Sequence, residues 1–305
     1  MSVVAPFYNQ AAFARETVES VLAQDYPQLQ LILTDDASSD GTGDILREYE
    51  AAHPERVRAL VAEQNAGIAG NINRGLAEVR GELVAWLGGD DVMLPGKIAR
   101  QVEALERRPD AVACAHDAEV FESESGRVLG RFTELYNGRP GVRGGGVELQ
   151  FDPTYFMLPS ATMFRAAAAP AHGFDERLRF GNDWLWHIEL LRNGPVIALQ
   201  DVLVRYRRHA GNITADPATN ARGLEEGLVT MAIVSARYPE LAGLAHRRSA
   251  AFLLAAARQA HAHGDRRLLA RYLGSALREG GPIGTTRMAL RMAGTRRRRG
   301  GDTPT

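Results

Sequence analysis

Three groups of acidic residues set out the chemistry open to this sequence. Asp90 and Asp91 follow an apolar run, Leu83–Leu87, and two glycines, Gly88 and Gly89. Adjacent carboxylates repel, so solvent or a bound cation has to offset them. Glycine lets the backbone bend there and lets a bulky ligand come close. Oxygen donors in this setting suit Mg²⁺ or Mn²⁺ bridging a diphosphate, where the cation neutralises charge on a leaving group. Read alone, the pair equally suits the start of a helix near Pro95.

Asp35 and Asp36 close a second apolar run and open the turn DDASSDGT. Asp40 or Thr42 is enough to cap the helix that follows. The paired carboxylates go beyond capping, and one can accept hydrogen bonds from a base N–H or from ribose hydroxyls. Tyr8 can offer its ring to that base or sit partly buried with its hydroxyl satisfied. Asn65 can cap the helix that Gly67 opens. Asn73 lies two turns into it, where Asn is a poor helix former, which points to a polar contact that positions loops. The third group is Asp183, which starts a helix beside Trp184 and Trp186. A base must reach a hydroxyl and stay ionised near neutral pH, and a carboxylate does so even with a moderately raised pKa. The competing role is a helix cap or dipole partner.

The elements that must hold these residues alternate along the chain. Ser2–Ala5, Leu29–Thr34, Val57–Val61 and Leu83–Leu87 read as strands. Ala11–Ala23, the stretch through Ile45, Leu46 and Tyr49, and Gly67–Val79 read as the helices between them. This alternation predicts a parallel sheet wound by right-handed crossovers, with ligands beyond the C-terminal strand ends. Tyr8, Asp35–Asp36 and Asp90–Asp91 all stand at such ends. A helix over Pro95–Arg107 follows, then a strand over Ala111–Ala115 and a hairpin of Val120–Phe121 with Val128–Phe132. Gly-rich Asn137–Gly146 is a loop, long enough for a mobile lid and equally a plain surface loop. Asp183–Arg192 reads as a helix, and Val196–Leu199 and Val202–Tyr206 as short strands. Beyond Pro217 the pattern is helical, with Ala250–His263 and Asp265–Glu279 joined at Gly264.

In order and spacing, VVAPFYN, DDASSDGT, NAGIAGNINRGL and GGDDVMLPGK resemble the N-terminal motifs of family-2 glycosyltransferases, a likeness over about residues 1–215. The resemblance implies an α/β fold of the GT-A type, Rossmann-like with a mostly parallel sheet and flanking helices. It also implies an inverting transferase that takes a nucleotide-diphosphate sugar. Tyr8 and Asp36 then contact the base, in a donor site that takes in Pro6, Asn65, Gly67, Asn73 and Asp90. Asp90–Asp91 matches the family's Asp-X-Asp element in contracted form, with Asp91 the direct ligand of a divalent cation, Mn²⁺ or Mg²⁺. FGNDWLWHIELLRNG resembles the segment whose Asp is the general base, which points to Asp183. Asn182 stands where the family often has Glu, so that carboxylate's role is lost here. RYRRHAGNIT resembles the segment that closes over the donor, which places His209 at the metal or diphosphate, with Arg207 and Arg208 as diphosphate contacts. Lys97 matches a family position to which no role is assigned.

At 305 residues, 45% hydrophobic and 24% charged, the chain suits a folded protein with one large α/β domain and a smaller appendage. The expected division is 1–215 for the transferase domain, 216–294 for an all-α region and 295–305 for a disordered basic tail. One cysteine, Cys114, excludes an internal disulfide and a Cys-based zinc cluster. With no apolar run of membrane-spanning length and no signal peptide read at Met1, a cytoplasmic location is expected. Net charge is −1, yet residues 241–305 carry 13 arginines against Asp265, Glu279 and Asp302. That basic end can be a solvated tail, or can hold the chain peripherally at the inner face of the plasma membrane beside a lipid-linked acceptor. Nucleic acid is not an expected partner, since the rest of the chain is acidic. The expected partners are the sugar donor and a glycan, lipid-linked or small-molecule hydroxyl acceptor, in bacterial polysaccharide, glycolipid or other glycoconjugate synthesis. A sugar-phosphate nucleotidyltransferase would need a Gly-rich basic loop right after the first strand, and PFYNQAAF has neither. Turnover separates the transferase from a two-carboxylate glycoside hydrolase and from an inactive binding scaffold.

Overall fold

The computed structural model describes residues 1–179, 181–212 and 217–281. Its first half alternates as the periodicity predicts: β1 (Ser2–Phe7), α1 (Ala11–Leu22), β2 (Gln30–Asp35), α2 (Thr42–Ala52), β3 (Val57–Val61), α3 (Gly67–Ala77) and β4 (Leu83–Trp86). β1 lies at the centre of these strands, parallel to β2 on one side and β4 on the other, with β2 parallel to β3. Val3, Val4, Ala5, Leu31, Ile32 and Leu33 have no exposed surface, because helices cover both faces of a parallel sheet. That double covering is why the strands read as unbroken apolar runs.

The second half departs from the sequence reading in four strands. β5 (Val92–Met93) leads through α4 (Lys97–Arg107) to β6 (Ala113–Glu122), β7 (Val128–Arg131) and α5 (Phe132–Tyr136). β8 (Thr162–Arg165), α6 (Asn182–Leu191) and β9 (Val196–Arg208) complete it. The strand order is β3-β2-β1-β4-β8-β6-β9-β5, with β7 paired to β6. β8 runs antiparallel between β4 and β6, so the sheet is mixed at this point, and β6 and β9 run parallel. The sequence reading omits β5 and β8, which are too short to carry a period. It also splits β6 and β9, each of which is continuous through a register shift. In β6 the interruption is Asp117, whose carboxylate is buried and accepts bonds from Thr133 N at 3.1 Å and Thr133 Oγ1 at 2.6 Å. The same contact caps α5, which is why the chain turns helical at Phe132 instead of prolonging β7.

The chain divides into two compact units, the first of Met1–Val147 and Phe156–Asn212, the second of Glu148–Tyr155 and the residues from 213 onward. The sequence boundary of 215/216 differs from this division, which also assigns Glu148–Tyr155 to the second unit. Among its described residues the second unit is helical, with α7 (Pro217–Arg237), α8 (Ala242–Ala262) and a helix over 266–281. Its core joins Leu253 and Leu254 of α8 to Ala276, with Leu228 of α7 and Tyr272 packed against them. Gly264, at φ +73°, breaks α8 from the next helix as expected, and Asp265 caps that helix by accepting from Arg267 N and Leu268 N. Among the described residues no helix is long and apolar enough to cross a membrane. The predicted disordered tail, 295–305, lies outside the described residues.

Candidate active site

The end of β1 meets the end of β2. Tyr8 is 53% exposed, so its ring faces outward and is not tucked into the core. Asn9, at φ +50°, accepts from Ser39 N through its side chain and donates from its backbone N–H to Ser38 Oγ. Asp35 holds the Ser38 hydroxyl at 2.5 Å and its N–H at 3.0 Å, closing the turn that the sequence suggests. Asp40 accepts from Thr42 N and from Ala11 N, so one carboxylate ties the starts of α1 and α2 together.

Asp36 caps α3 from across the sheet. Its two oxygens accept from Ala66 N at 2.8 Å and Gly67 N at 2.9 Å, and its carbonyl accepts from Asn65 Nδ2. A charged acceptor on two backbone amides at a helix N-terminus is a strong interaction. Asp36, Asn65 and Gly67, predicted together at the donor, are therefore one bonded group. Asn73 serves a different place. Its amide donates to Phe174 O and Glu176 Oε1 and accepts from Phe174 N at 2.7 Å, pinning the segment that leads to α6. The misplaced Asn thus has the loop-positioning contact its helical setting suggests. Buried Asn71 donates to Phe7 O, fixing α3 on β1.

The turn 88–91 after β4 is built from distant parts of the chain. Thr17 Oγ1 of α1 is shared between Gly89 O and Asp91 O, at 3.0 and 2.9 Å. Ser160 donates to Asp91 Oδ2 at 2.5 Å and accepts from Gly88 N at 2.9 Å. β5 pairs antiparallel with β9, Val92 opposite Arg205, which brings the turn alongside Arg207 and His209. Arg207 N then donates to Asp91 Oδ1 at 3.0 Å. At Gly89 a Cβ would stand 2.7 Å from Pro6 O and 2.5 Å from Phe7 Cδ1, so only glycine lets the turn lie against the end of β1.

The two carboxylates of the pair have different surroundings. Asp91 is buried with both oxygens bonded, and burial together with the Asp90 charge raises its pKa well above the usual carboxylate range. Its carboxylate is turned inward and holds the turn. Asp90 keeps its carboxylate partly exposed, with Oδ2 3.0 Å from His209 Nε2 and 3.2 Å from Asn212 Nδ2. Gly211 N donates to His209 Nδ1, which leaves Nε2 as the protonated nitrogen facing Asp90. Ligands about 2.1 Å from an octahedral ion stand about 3.0 Å apart when adjacent, so this oxygen and nitrogen have the spacing for one divalent cation, which would take the other tautomer, with the proton on Nδ1 and the Gly211 bond released. Gly88 keeps the approach open: a Cβ there would lie 3.0 Å from Asp90 Oδ1 and 3.1 Å from Asp91 Oδ2. Among the described residues no three acidic, His or Cys side chains form a metal cage. A cation here would therefore take further ligands from phosphate and water, as Mg²⁺ commonly does.

Arg207 is likewise not free for a diphosphate. It is buried between the rings of Phe13 and Phe121, at 4.8 and 4.7 Å, and donates through Nε to Asp90 O at 2.7 Å while pairing with Glu16. Lys97 is fully buried, with Nζ on Gln101 Oε1 at 2.9 Å, and burial lowers its pKa to about 7. Gln101 in turn bonds Cys114 O and Ala161 O, which makes Lys97 part of the packing beneath the turn and not a ligand contact.

Asp183 opens α6. Its Oδ1 accepts from Trp184 N at 2.7 Å, and burial raises its pKa to about 6 against the opposing pull of that bond. Three residues on, Trp186 packs in a ring cluster with Trp86, Phe164 and Phe174, at 5.4, 4.7 and 5.3 Å. Trp86 ends β4 immediately ahead of the 87–91 turn, so one aromatic cluster anchors both α6 and the strand that carries Asp90. Phe180 of the matching segment lies outside the described residues. Thr17, Ser160 and Glu16 are the site-building residues that the sequence reading misses. They are ordinary polar residues on other elements, and no local pattern marks them.

A mixed sheet with a parallel first half, followed after β4 by a glycine-acid turn, has the architecture of the GT-A class of glycosyltransferase folds. TarS 1–349 of S. aureus, in complex with UDP-GlcNAc, resembles the chain at a TM-score of 0.67 and 17% identity, over 91% of this chain and 80% of that one. Mannosyltransferase PcManGT from Pyrobaculum calidifontis, in complex with GDP-Man and Mn²⁺, does so at 0.58 and 18%, over 96% and 78%. At these identities the likeness is one of fold. The model for Glycosyl transferase family 2 matches residues 2–169, more than half of the chain, and the chain belongs to that family. Glycosyltransferase GlyG of Streptococcus pneumoniae is 26% identical over 224 residues, covering 70% of this chain and 72% of the relative. The putative teichuronic acid biosynthesis glycosyltransferase TuaG of Bacillus subtilis is 39% identical over 108 residues, 35% of this chain and 42% of the relative. An uncharacterized Mycobacterium tuberculosis protein is 29% identical over 235 residues, 73% of this chain, and the match spans only 62% of that relative's length.

Proposed function

We propose that this chain transfers a sugar from a nucleotide-diphosphate donor to an acceptor hydroxyl, with inversion at the anomeric carbon. The observation that carries this reading is the partly exposed Asp90 carboxylate facing His209 at 3.0 Å beside the open Gly88. Asp90 and His209 would hold Mn²⁺ or Mg²⁺, which supplies neutralisation of the departing diphosphate when bound. Asp91, with Ser160, Thr17 and the Arg207 backbone, keeps that carboxylate aimed. Tyr8 offers its exposed ring to the base, and Asp36 fixes the Asn65–Gly67 backbone at the edge of the same site.

Asp183 is the general base. It removes the acceptor hydroxyl proton as that oxygen attacks the anomeric carbon, and the carbon–oxygen bond to the diphosphate breaks with its electron pair going to the leaving group. A single displacement inverts the centre. The acceptor class proposed is a glycan or lipid-linked hydroxyl in bacterial polysaccharide or glycoconjugate synthesis; the name of the B. subtilis relative, a putative teichuronic acid biosynthesis glycosyltransferase, supports that reading. The test is Asp183→Asn with whichever nucleotide sugar supports transfer. The variant is expected to keep its nucleotide-diphosphate affinity while turnover falls by about 10²–10⁴-fold. Turnover near wild type would remove Asp183 from the role.

A further inference from the structure

We propose that the helix over 266–281 is a contact surface for an anionic membrane. Tyr272 and Ala276 face α8 and its leucines, which fixes the inner side of this helix. Away from that contact, Leu273 and Leu277 are 40% and 47% exposed. Leu273 and Leu277 are one turn apart and form a stripe. Arg267, Arg271 and Arg278, spaced by four and seven, form a second stripe next to it, and all three are exposed.

The arginines are not there to balance the chain's own acids. Asp265 is used as the helix cap, and Glu279 is bonded to His246 at 2.7 Å. Among the described residues no carboxylate pairs with Arg266, Arg267, Arg271 or Arg278, the last donating only to Ser275 Oγ. Unmatched cations beside exposed leucines suit one partner, a surface that is anionic at the headgroups and apolar just beneath them. The charge of the following sequence has the same sign, with Arg287, Arg291 and Arg296–Arg299. Single-stranded nucleic acid would call for exposed rings on which to stack, and the one aromatic residue of this helix, Tyr272, faces α8.

The test is co-sedimentation of the full chain with vesicles of phosphatidylglycerol and phosphatidylcholine, against phosphatidylcholine alone. Two variants accompany it: Arg267→Glu with Arg271→Glu and Arg278→Glu, and Leu273→Ser with Leu277→Ser. The wild-type chain is expected to partition onto the anionic vesicles only, and less so as salt rises. The arginine variant should weaken partition by at least about tenfold, and the leucine variant should weaken it at fixed charge. Melting temperature and nucleotide-diphosphate binding should stay as in wild type, which keeps this result separate from the transfer reading. Failure to partition, equal partition onto neutral vesicles, or partition unchanged in the arginine variant would overturn the assignment, the last by giving the binding to the residues beyond 281. Binding to an RNA oligonucleotide without any to vesicles would overturn it as well.

Discussion

If Asp183 is the base proposed above, its surroundings set the pH range in which it works. Burial lifts its pKa to about 6, so turnover should fall about tenfold per pH unit below that value and level off above it. The same shift has the opposite sense for stability. The folded chain binds this proton more tightly than the unfolded one, so the contribution is complete below about pH 4 and is lost as pH rises through 6. Asp183→Asn should therefore melt at or above the wild-type temperature at pH 7.5, by about 1–2 kcal/mol, even as it loses transfer. Asp90 and Asp91 should separate in the same way. Asp90→Asn is expected to abolish cation-dependent nucleotide binding with little change in melting. Asp91→Ala leaves the Ser160 hydroxyl and the Arg207 N–H without their acceptor and should cost about 2–4 kcal/mol in a denaturant titration. The sequence marks both acids but not which of them faces outward. That choice is made by Ser160, 69 positions from Asp91, and by the Arg207 backbone, 116 positions away.

The elements were legible wherever burial is symmetric. β1, β2 and α3 carry unbroken periodicities because each lies against the same core from end to end. β6 and β9 are interrupted in the sequence by polar residues whose partners lie elsewhere in the chain, as Thr133 does for Asp117. β5 is two residues long and exists because β9 pairs with it. α4 tests this packing through Lys97. An amine held at a pKa of about 7, against its usual value above 10, makes the fold gain stability as pH rises from 7 to 10, since the unfolded chain binds the extra proton there. Lys97→Met should be more stable near neutral pH by roughly 1–3 kcal/mol, with the advantage shrinking toward pH 10 in pH-dependent chemical denaturation. Trp186→Ala should cost about 3–5 kcal/mol, because it opens the ring cluster that joins α6 to β4.

In the whole molecule, the first unit is a sheet with its flanking helices, and its loops carry the exposed ring of Tyr8, the capped start of α3, the Asp90–His209 pair and Asp183 at the start of α6. Four separated motifs carried that family pattern in the sequence. The mixed centre of the sheet and the division into units did not show there, since both depend on pairing between remote strands. The most direct measurement is a thermal-shift series of UDP, GDP, dTDP and CDP, each with Mn²⁺, Mg²⁺ or EDTA, on the wild-type chain and on Asp90→Asn and His209→Ala. The expected result is a cation-dependent rise with one diphosphate that disappears in both variants. No rise with any diphosphate, or a rise that survives EDTA and both substitutions, would contradict a donor site built on Asp90 and His209.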